Sequence, residues 1–196
     1  MNIAHALANS FRNFHAKGMD YICLQRSPDL TIKLYVFDGD VSKIPEVVNP
    51  HDHRYDFDTT VLHGAMQNIT YTRSDTGKLY QEFQWQTPLN GGNGFTWSRE
   101  SMLAETGRLT LGERGSYRMR ADGIHTIRIT ENETILRLLQ FEDVIPVDQP
   151  TATFTLNKEP PALDGLYERW TEGALMDRLR RIDELTGMTI SREMAA

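Results

Sequence analysis

The sequence predicts an all-β barrel or sandwich carrying one α-helix at each end, and three observations lead there. Between residues 56 and 141 the chain is a succession of short runs rich in β-branched and aromatic residues: DTTVL, QNITYT, LYQEFQW, GRLTL, SYRMR, HTIRI and TILRLLQF. Turn residues separate those runs: Thr76-Gly77, Asn90-Gly91-Gly92, residues 112–115, Asp122-Gly123 and Glu131-Asn132. Helical periodicity is confined to the two ends, which argues for antiparallel strands and against βαβ units.

Taken in order, Ile3, Leu7, Phe11 and Phe14 recur at helical spacing and Gly18 offers a C-cap, so residues 1–18 are expected to form an amphipathic helix. Residues 21–25 and 31–37 read as strands, and Ser27-Pro28-Asp29 between them makes a hairpin. They open a barrel expected over residues 20–142, in which residues 89–95 (LNGGNGF) form a mobile loop. Residues 143–165, with Pro146, Pro150, Pro160 and Pro161, are expected to run along the barrel wall as an ordered arm. Residues 166–196 hold the C-terminal helix; Leu175, Met176, Leu179 and Ile182 fall on one face, ready to pack on the barrel or on another subunit. All 196 residues are assigned to one domain, a length sufficient to bury a core without disulfides.

Composition narrows the function. With 39 % hydrophobic and 24 % charged residues the chain is not of the disordered class. A net charge of −6 with no basic face disfavours nucleic acid, so a small molecule is the expected partner. Cys23 stands alone, which rules out an intramolecular disulfide and a cysteine-rich zinc site. No apolar run is long enough for a bilayer and the N-terminal residues lack a signal-peptide core, so a cytoplasmic protein without membrane contact is expected.

The chemistry gathers in Pro50-His51-Asp52-His53-Arg54-Tyr55-Asp56-Phe57 and in Gly123-Ile124-His125. Strand side chains alternate between faces, so His51 and His53 project to one side and can share an ion; a distant strand can bring His125 to them. Three neutral imidazoles suit Fe, Zn, Cu, Ni or Mn and leave room for a substrate or O2. Asp56 and Asp58 have the opposite parity to Phe57 and should face away unless a bulge turns one inward as a fourth ligand. His63 shares the parity of Phe57 and is a candidate to face the cavity. Tyr55, Tyr117, Arg118, Arg120 and Arg137 are candidates for its wall, with surface ion pairs the competing role for the arginines. His5 and His15 are expected on the surface of the first helix, and Cys23 as a small buried hydrophobe.

These segments resemble the cupin superfamily. Its first motif is a glycine, five residues, His-x-His, three or four residues, a glutamate, six residues and a glycine; its second sets a histidine after a turn. His51-x-His53, the run to His63 and Gly64 match the first from the histidines onward, and Gly115 with Gly123-x-His125 loosely matches the second, over roughly residues 20–142. The resemblance implies a cupin double-stranded β-helix, or jelly-roll, barrel. Phe57 stands at the glutamate position and Ala121 at the proline of the second motif. Without the glutamate the chain is most similar to the three-histidine branch, known from thiol dioxygenases such as cysteine dioxygenase, whose order of strand, arginine, second strand and His-Asp-His matches Gln25-Arg26, residues 31–37 and His51-Asp52-His53. That likeness implies Fe(II) on His51, His53 and His125, Arg26 holding a substrate carboxylate by its fork, O2 as co-substrate, and a homodimer as one assembly. The crosslinking cysteine of the eukaryotic-type enzymes has no counterpart near Phe57 and Asp58, nor has its tyrosine near Leu139, so the likeness reaches the site and not thiol oxidation. The expected activity is a mononuclear non-haem iron oxygenase with Arg26, Tyr55 and His63 as candidate catalytic residues. A metal-dependent isomerase, epimerase or lyase and a non-catalytic binding cupin stand as alternatives.

Overall fold

A computed structural model describes residues 2–15, 17–38, 49–87 and 91–195. In chain order the elements are α1 (Ile3–Asn9), β1 (Phe11–Arg12), β2 (Met19–Arg26), β3 (Leu30–Phe37), β4 (Tyr55–His63), β5 (Met66–Gln86) and β6 (Gly94–Leu111), then β7 (Ser116–Met119), β8 (Ile124–Ile129), β9 (Thr134–Asp143), β10 (Thr151–Thr155), β11 (Glu168–Arg169), α2 (Glu172–Thr186) and α3 (Ile190–Ala195). One sheet runs β11-β1-β2-β3-β9-β4-β7; the other runs β10-β5-β6, with β8 paired to β5 as well. Both are antiparallel. The expected architecture is present: an all-β jelly-roll barrel with helices at either end.

Residues alternating along β2, β3 and β9 bury both faces of the larger sheet. Tyr21, Tyr35, Phe37, Leu136 and Leu138 point into the barrel, where Met66, Ile127 and Ile129 of the second sheet meet them. Ile22, Leu34, Val36 and Ile135 point the other way, under Leu175, Leu179 and Ile182 of α2 and Ile190 and Met194 of α3. A strand covered on both sides reads as a nearly continuous apolar run, which is the text of residues 30–37. Helix α2 is held in register by its ends: Thr171 accepts the Ala174 N–H, and Gly187, at φ 72°, sends its own N–H to the Asp183 carbonyl. Burying each of its three leucine or isoleucine anchors contributes about 1.5–3 kcal/mol.

Several expected boundaries are corrected. The first helix does not reach residue 18. It stops at Asn9, because Ser10 turns extended and its hydroxyl accepts the Cys23 N–H at 2.9 Å, while Phe11 enters β1 against Tyr21. Thr76-Gly77 reverses nothing: β5 is one strand of 21 residues with a register shift between Arg73 and Lys78. Gly77 is needed there because a Cβ would meet the Leu103 carbonyl oxygen at 2.2 Å. Its partner β6 includes residues 94–106, which carry no clear strand signal. The expected arm contains β10, an edge strand on residues 81–85. The C-terminal region holds β11 and two helices in place of one. Of the expected loop 89–95, residues 89 and 90 lie outside the described residues, and Gly94 and Phe95 begin β6. Among the described residues no helix is long and apolar enough to cross a membrane.

Candidate metal centre

His51 sits where three chain segments meet. It bridges to His125 at the start of β8 on one side and to Thr153 of β10 on the other. The His51 N–H donates to the His125 carbonyl and the His125 N–H to that of His51, both at 2.9 Å. The His53 N–H donates to the Ala121 carbonyl at 2.9 Å, and the Phe154 N–H to that of Pro50 at 2.8 Å. The His-x-His segment is thus clamped on both flanks before β4 begins, and β10, from the stretch expected to be a bare arm, supplies one clamp.

The outcome is one cluster. Each of His51, His53 and His125 offers a ring nitrogen, and these nitrogens all lie within 4.8 Å of one another. His53 Nε2 and His125 Nε2 are 3.0 Å apart. Two nitrogens each ~2.1 Å from one ion and at right angles to it are separated by ~3.0 Å, so this edge already has the span that shared ligation requires. Hydrogen bonds behind the rings select the tautomers. His125 Nδ1 lies 2.6 Å from the Asn68 side-chain oxygen and His51 Nδ1 2.8 Å from the Asn49 carbonyl. Both acceptors hold the proton on Nδ1 and leave Nε2 with its lone pair for a metal. Burial depresses the pKa of all three imidazoles, and in His53 the neighbouring His51 and His125 add to it, so the rings are held neutral as ligands must be. The donor set fits one divalent ion.

Among the described residues no carboxylate joins the set. Phe57 is 1 % exposed, with its ring 4.6 Å from that of His53 and 5.5 Å from that of His125, so the position beside the histidines is apolar. The register shift between Tyr55 and Phe57 does not turn an aspartate inward. Asp56 accepts the Ala121 N–H at 2.8 Å, Asp58 lies 3.7 Å from Arg118, and Asp52 accepts the Ala152 N–H at 2.6 Å.

The histidines open onto a cavity of about 1120 Å³ inside the barrel. Arg26 lines it because of a bulge. Cys23 pairs with Lys33 but Gln25 with Ile32, so the register shift at Leu24 swaps the faces and brings Arg26, opposite Thr31, to the inner side. There its guanidinium donates to the Tyr21 hydroxyl at 2.9 Å. Tyr55 lines the cavity too, its ring 5.3 Å from His53. His63 does not: a second register shift, between Val61 and His63, sets it opposite Ile135 on the outer face, where it meets Glu113 at 2.9 Å. The expectation that strand parity aims His63 at the cavity is corrected on that ground. Tyr117 lines the cavity, whereas Arg118, Arg120 and Arg137 do not.

Three cavity or support residues were not foreseen. His15, expected on a helix surface, lines the cavity 3.1 Å from the Tyr167 hydroxyl. Asn68 orients His125, and nothing in the text of QNITYT marks it. Lys33 is 4 % exposed inside the barrel, donating to the Tyr55 hydroxyl at 3.0 Å and to Gln140 Oε1 at 2.7 Å. Its signal was legible: a lysine in the middle of an apolar strand, two residues from Tyr35 and therefore on the same face.

No family model matches the sequence, and no curated protein matches it. Among solved structures the chain is similar to KdgF from Halomonas sp., at 16 % identity over 64 % of this chain and 82 % of that one with a TM-score of 0.37. It is also similar to hydroxypropylphosphonic acid epoxidase from S. wedmorenis, at 12 % identity over 68 % of this chain and 56 % of that one, TM-score 0.42. A cupin superfamily protein from Desulfitobacterium hafniense DCB-2 aligns at 14 % identity over 68 % of this chain and 98 % of that one, TM-score 0.37.

Proposed function

We propose that this protein is a mononuclear non-haem oxygenase of the three-histidine cupin kind, holding Fe(II) between His51, His53 and His125 and acting with O2 on a carboxylate-bearing small molecule. The observation that carries this reading is the convergence of three neutral imidazoles, with no carboxylate from the described residues among them, on the wall of a cavity large enough for a substrate. The ion supplies Lewis acidity and open positions, and iron adds one-electron chemistry with O2. The chain's own residues do the rest. Asn68 and the Asn49 carbonyl keep the ligand nitrogens aimed. Phe57 keeps the floor of the site dry. Arg26 presents a guanidinium fork to an anionic substrate, its orientation held by Tyr21. A cytoplasmic setting in which Cys23 stays reduced, and a homodimeric assembly, belong to the same proposal.

The test is metal analysis of anaerobically purified protein, followed by a screen of carboxylic acids and amino acids in an oxygen electrode with His125→Ala protein as background. Iron at one equivalent and substrate-dependent O2 uptake are expected. A second reading, a metal-dependent isomerase or lyase, is favoured by the Lys33–Tyr55 hydrogen bond, which sets an amino group and a phenol side by side on the cavity wall. Turnover that runs equally well without O2 decides for it. Tight ligand binding with no turnover, or protein loaded with Zn, Ni, Mn or Cu and inert to O2, overturns the oxygenase.

A further inference from the structure

Lys33 is a cation inside the barrel that meets no anion among the described residues. An ammonium has three N–H donors, and the described protein acceptors, Tyr55 and Gln140, engage two. The rest of its surroundings are aromatic: Nζ lies 5.6 Å from the ring centre of Tyr21, 5.8 Å from that of Tyr35 and 4.8 Å from that of Tyr55. Ring faces attract a cation but do not neutralise it. Among the described residues Lys33 forms no ion pair; of the carboxylates that line the cavity, Asp52, Glu142, Asp143 and Asp148, Asp143 feels its field without pairing with it. A buried charge is ordinarily paired, because leaving water without a partner costs several kcal/mol. Here a second cation stands beside the first: Tyr21, whose ring faces Lys33, receives on its hydroxyl the Arg26 guanidinium. Two cations on one tyrosine, in a cavity continuous with the histidines, leave a vacancy for an anion.

We propose that Lys33, with Arg26, is the anion seat of this cavity, and that the ligand it takes is a carboxylate on an aromatic body. The body follows from the walls. Phe14 stacks on Tyr21 with centroids 4.5 Å apart and planes 18° from parallel, and Tyr35, Tyr55 and Tyr117 continue the ring-lined surface. A space of about 1120 Å³ exceeds what an amino acid of cysteine's size fills and leaves room for a ring against these walls. The inference rests on the cavity being the substrate site and is independent of which metal the histidines hold.

The test is calorimetric titration of the full chain, once as purified and once after chelation, with 3-phenylpropionate, its amide 3-phenylpropanamide and acetate. The acid is expected to bind with and without metal, roughly 10- to 100-fold more tightly than the amide, the span of one charge-assisted hydrogen bond. Acetate, lacking the body, binds more weakly than either. Lys33→Met should lower the affinity for the acid several-fold towards that of the amide, with Arg26 still holding part of the charge, and should change the affinity for the amide far less. Should that variant fail to fold, Lys33→Gln, which retains a donor to Tyr55, provides the same comparison. Equal affinity for acid and amide, acid binding that survives both substitutions, or no binding of any probe overturns the seat. If the acid binds through Lys33 but the purified protein holds no metal, the oxygenase reading fails alone; if iron is present and acid binding ignores Lys33, only the seat fails.

Discussion

The β2–β3 hairpin has two faces built from alternate residues of the same strands, and they could hardly differ more. Outward, Ile22, Leu24, Leu34 and Val36 form a dry apolar layer sealed by the helices. Inward, Tyr21, Lys33 and Tyr35 place hydroxyls and an ammonium into a cavity they share with three imidazoles. The outer face is covered within the chain. The inner face carries two cations, Lys33 and Arg26, that form no ion pair among the described residues, beside three converging imidazoles. Unmet demand of that kind marks where a ligand belongs, and the bulge at Leu24 is where one face hands over to the other, sending Leu24 outward and Arg26 inward.

The sharpest way to break this division is to remove one metal ligand. His51→Ala, His53→Ala and His125→Ala should each lose most bound metal, because two imidazoles rarely retain an ion against buffer, while circular dichroism still reports a β-rich fold. Full stoichiometry in any one of the three would show that the ligand set is wrong. His5→Ala and His15→Ala should keep their metal. On the other face the effects invert. Leu179→Ala, fully buried under the sheet, should cost about 2–5 kcal/mol in denaturant unfolding and leave metal content per folded molecule unchanged. Coupled loss of both would mean the two faces are not independent.

Buried charge sharpens the same contrast. Glu82 is 5 % exposed, as hidden as Lys33, yet it is paired with Arg73 and Arg99 and hydrogen-bonded by Ser101. Burial raises its pKa, but the donors outweigh burial and bring it down from 4.5 to about 2. A group depressed on folding stabilises the fold above its unfolded pKa and withdraws that help as pH falls. Wild-type protein should therefore lose more stability than Glu82→Gln between pH 4.5 and about 2, as read by parallel urea titrations. Parallel curves would discount the pairing. In the cavity, Arg26→Ala should raise the KM for an anionic substrate by roughly 10- to 150-fold, taking a charged hydrogen bond as ~1.5–3 kcal/mol, with kcat changed far less.

How much of this could be read from the residues alone depended on the range of the interactions. The barrel and the histidine trio were legible because His-x-His parity is local and because His125 follows a turn and opens a strand. The first helix was overread: the periodicity of Ile3, Leu7, Phe11 and Phe14 is genuine, but the bond from Cys23 to Ser10 and the pairing of Phe11 with Tyr21 override it. Gly77 was misread because a glycine that admits a neighbouring backbone looks, in one dimension, like a glycine that turns the chain. The faces of Arg26 and His63 were beyond parity, since each lies past a one-residue register shift. The inward face of Lys33, by contrast, follows from simple alternation with Tyr35.

The smallest expected effects fall just behind the metal site. Asp56→Asn, Asp58→Asn and His63→Ala should each retain full metal, because none of these side chains lines the cavity. In Asp56→Asn the side-chain oxygen can still accept the Ala121 N–H, so the clamp through Ala121 on His53 is preserved. Asp58 and Arg118 are partners with side chains 38 % and 64 % exposed, and such a pair is worth about 0–1 kcal/mol. His63 and Glu113 are linked on the outside in the same way, and separating them should leave unfolding nearly unchanged. Metal content by mass spectrometry checks all three. Loss of the ion from either aspartate variant would reveal a carboxylate as fourth ligand. It would also mean that the strand carrying Asp56 and Asp58 shifts on binding, since Phe57, between them, is the side chain that faces the histidines. A silent result leaves the three imidazoles as the ligands that the described residues supply.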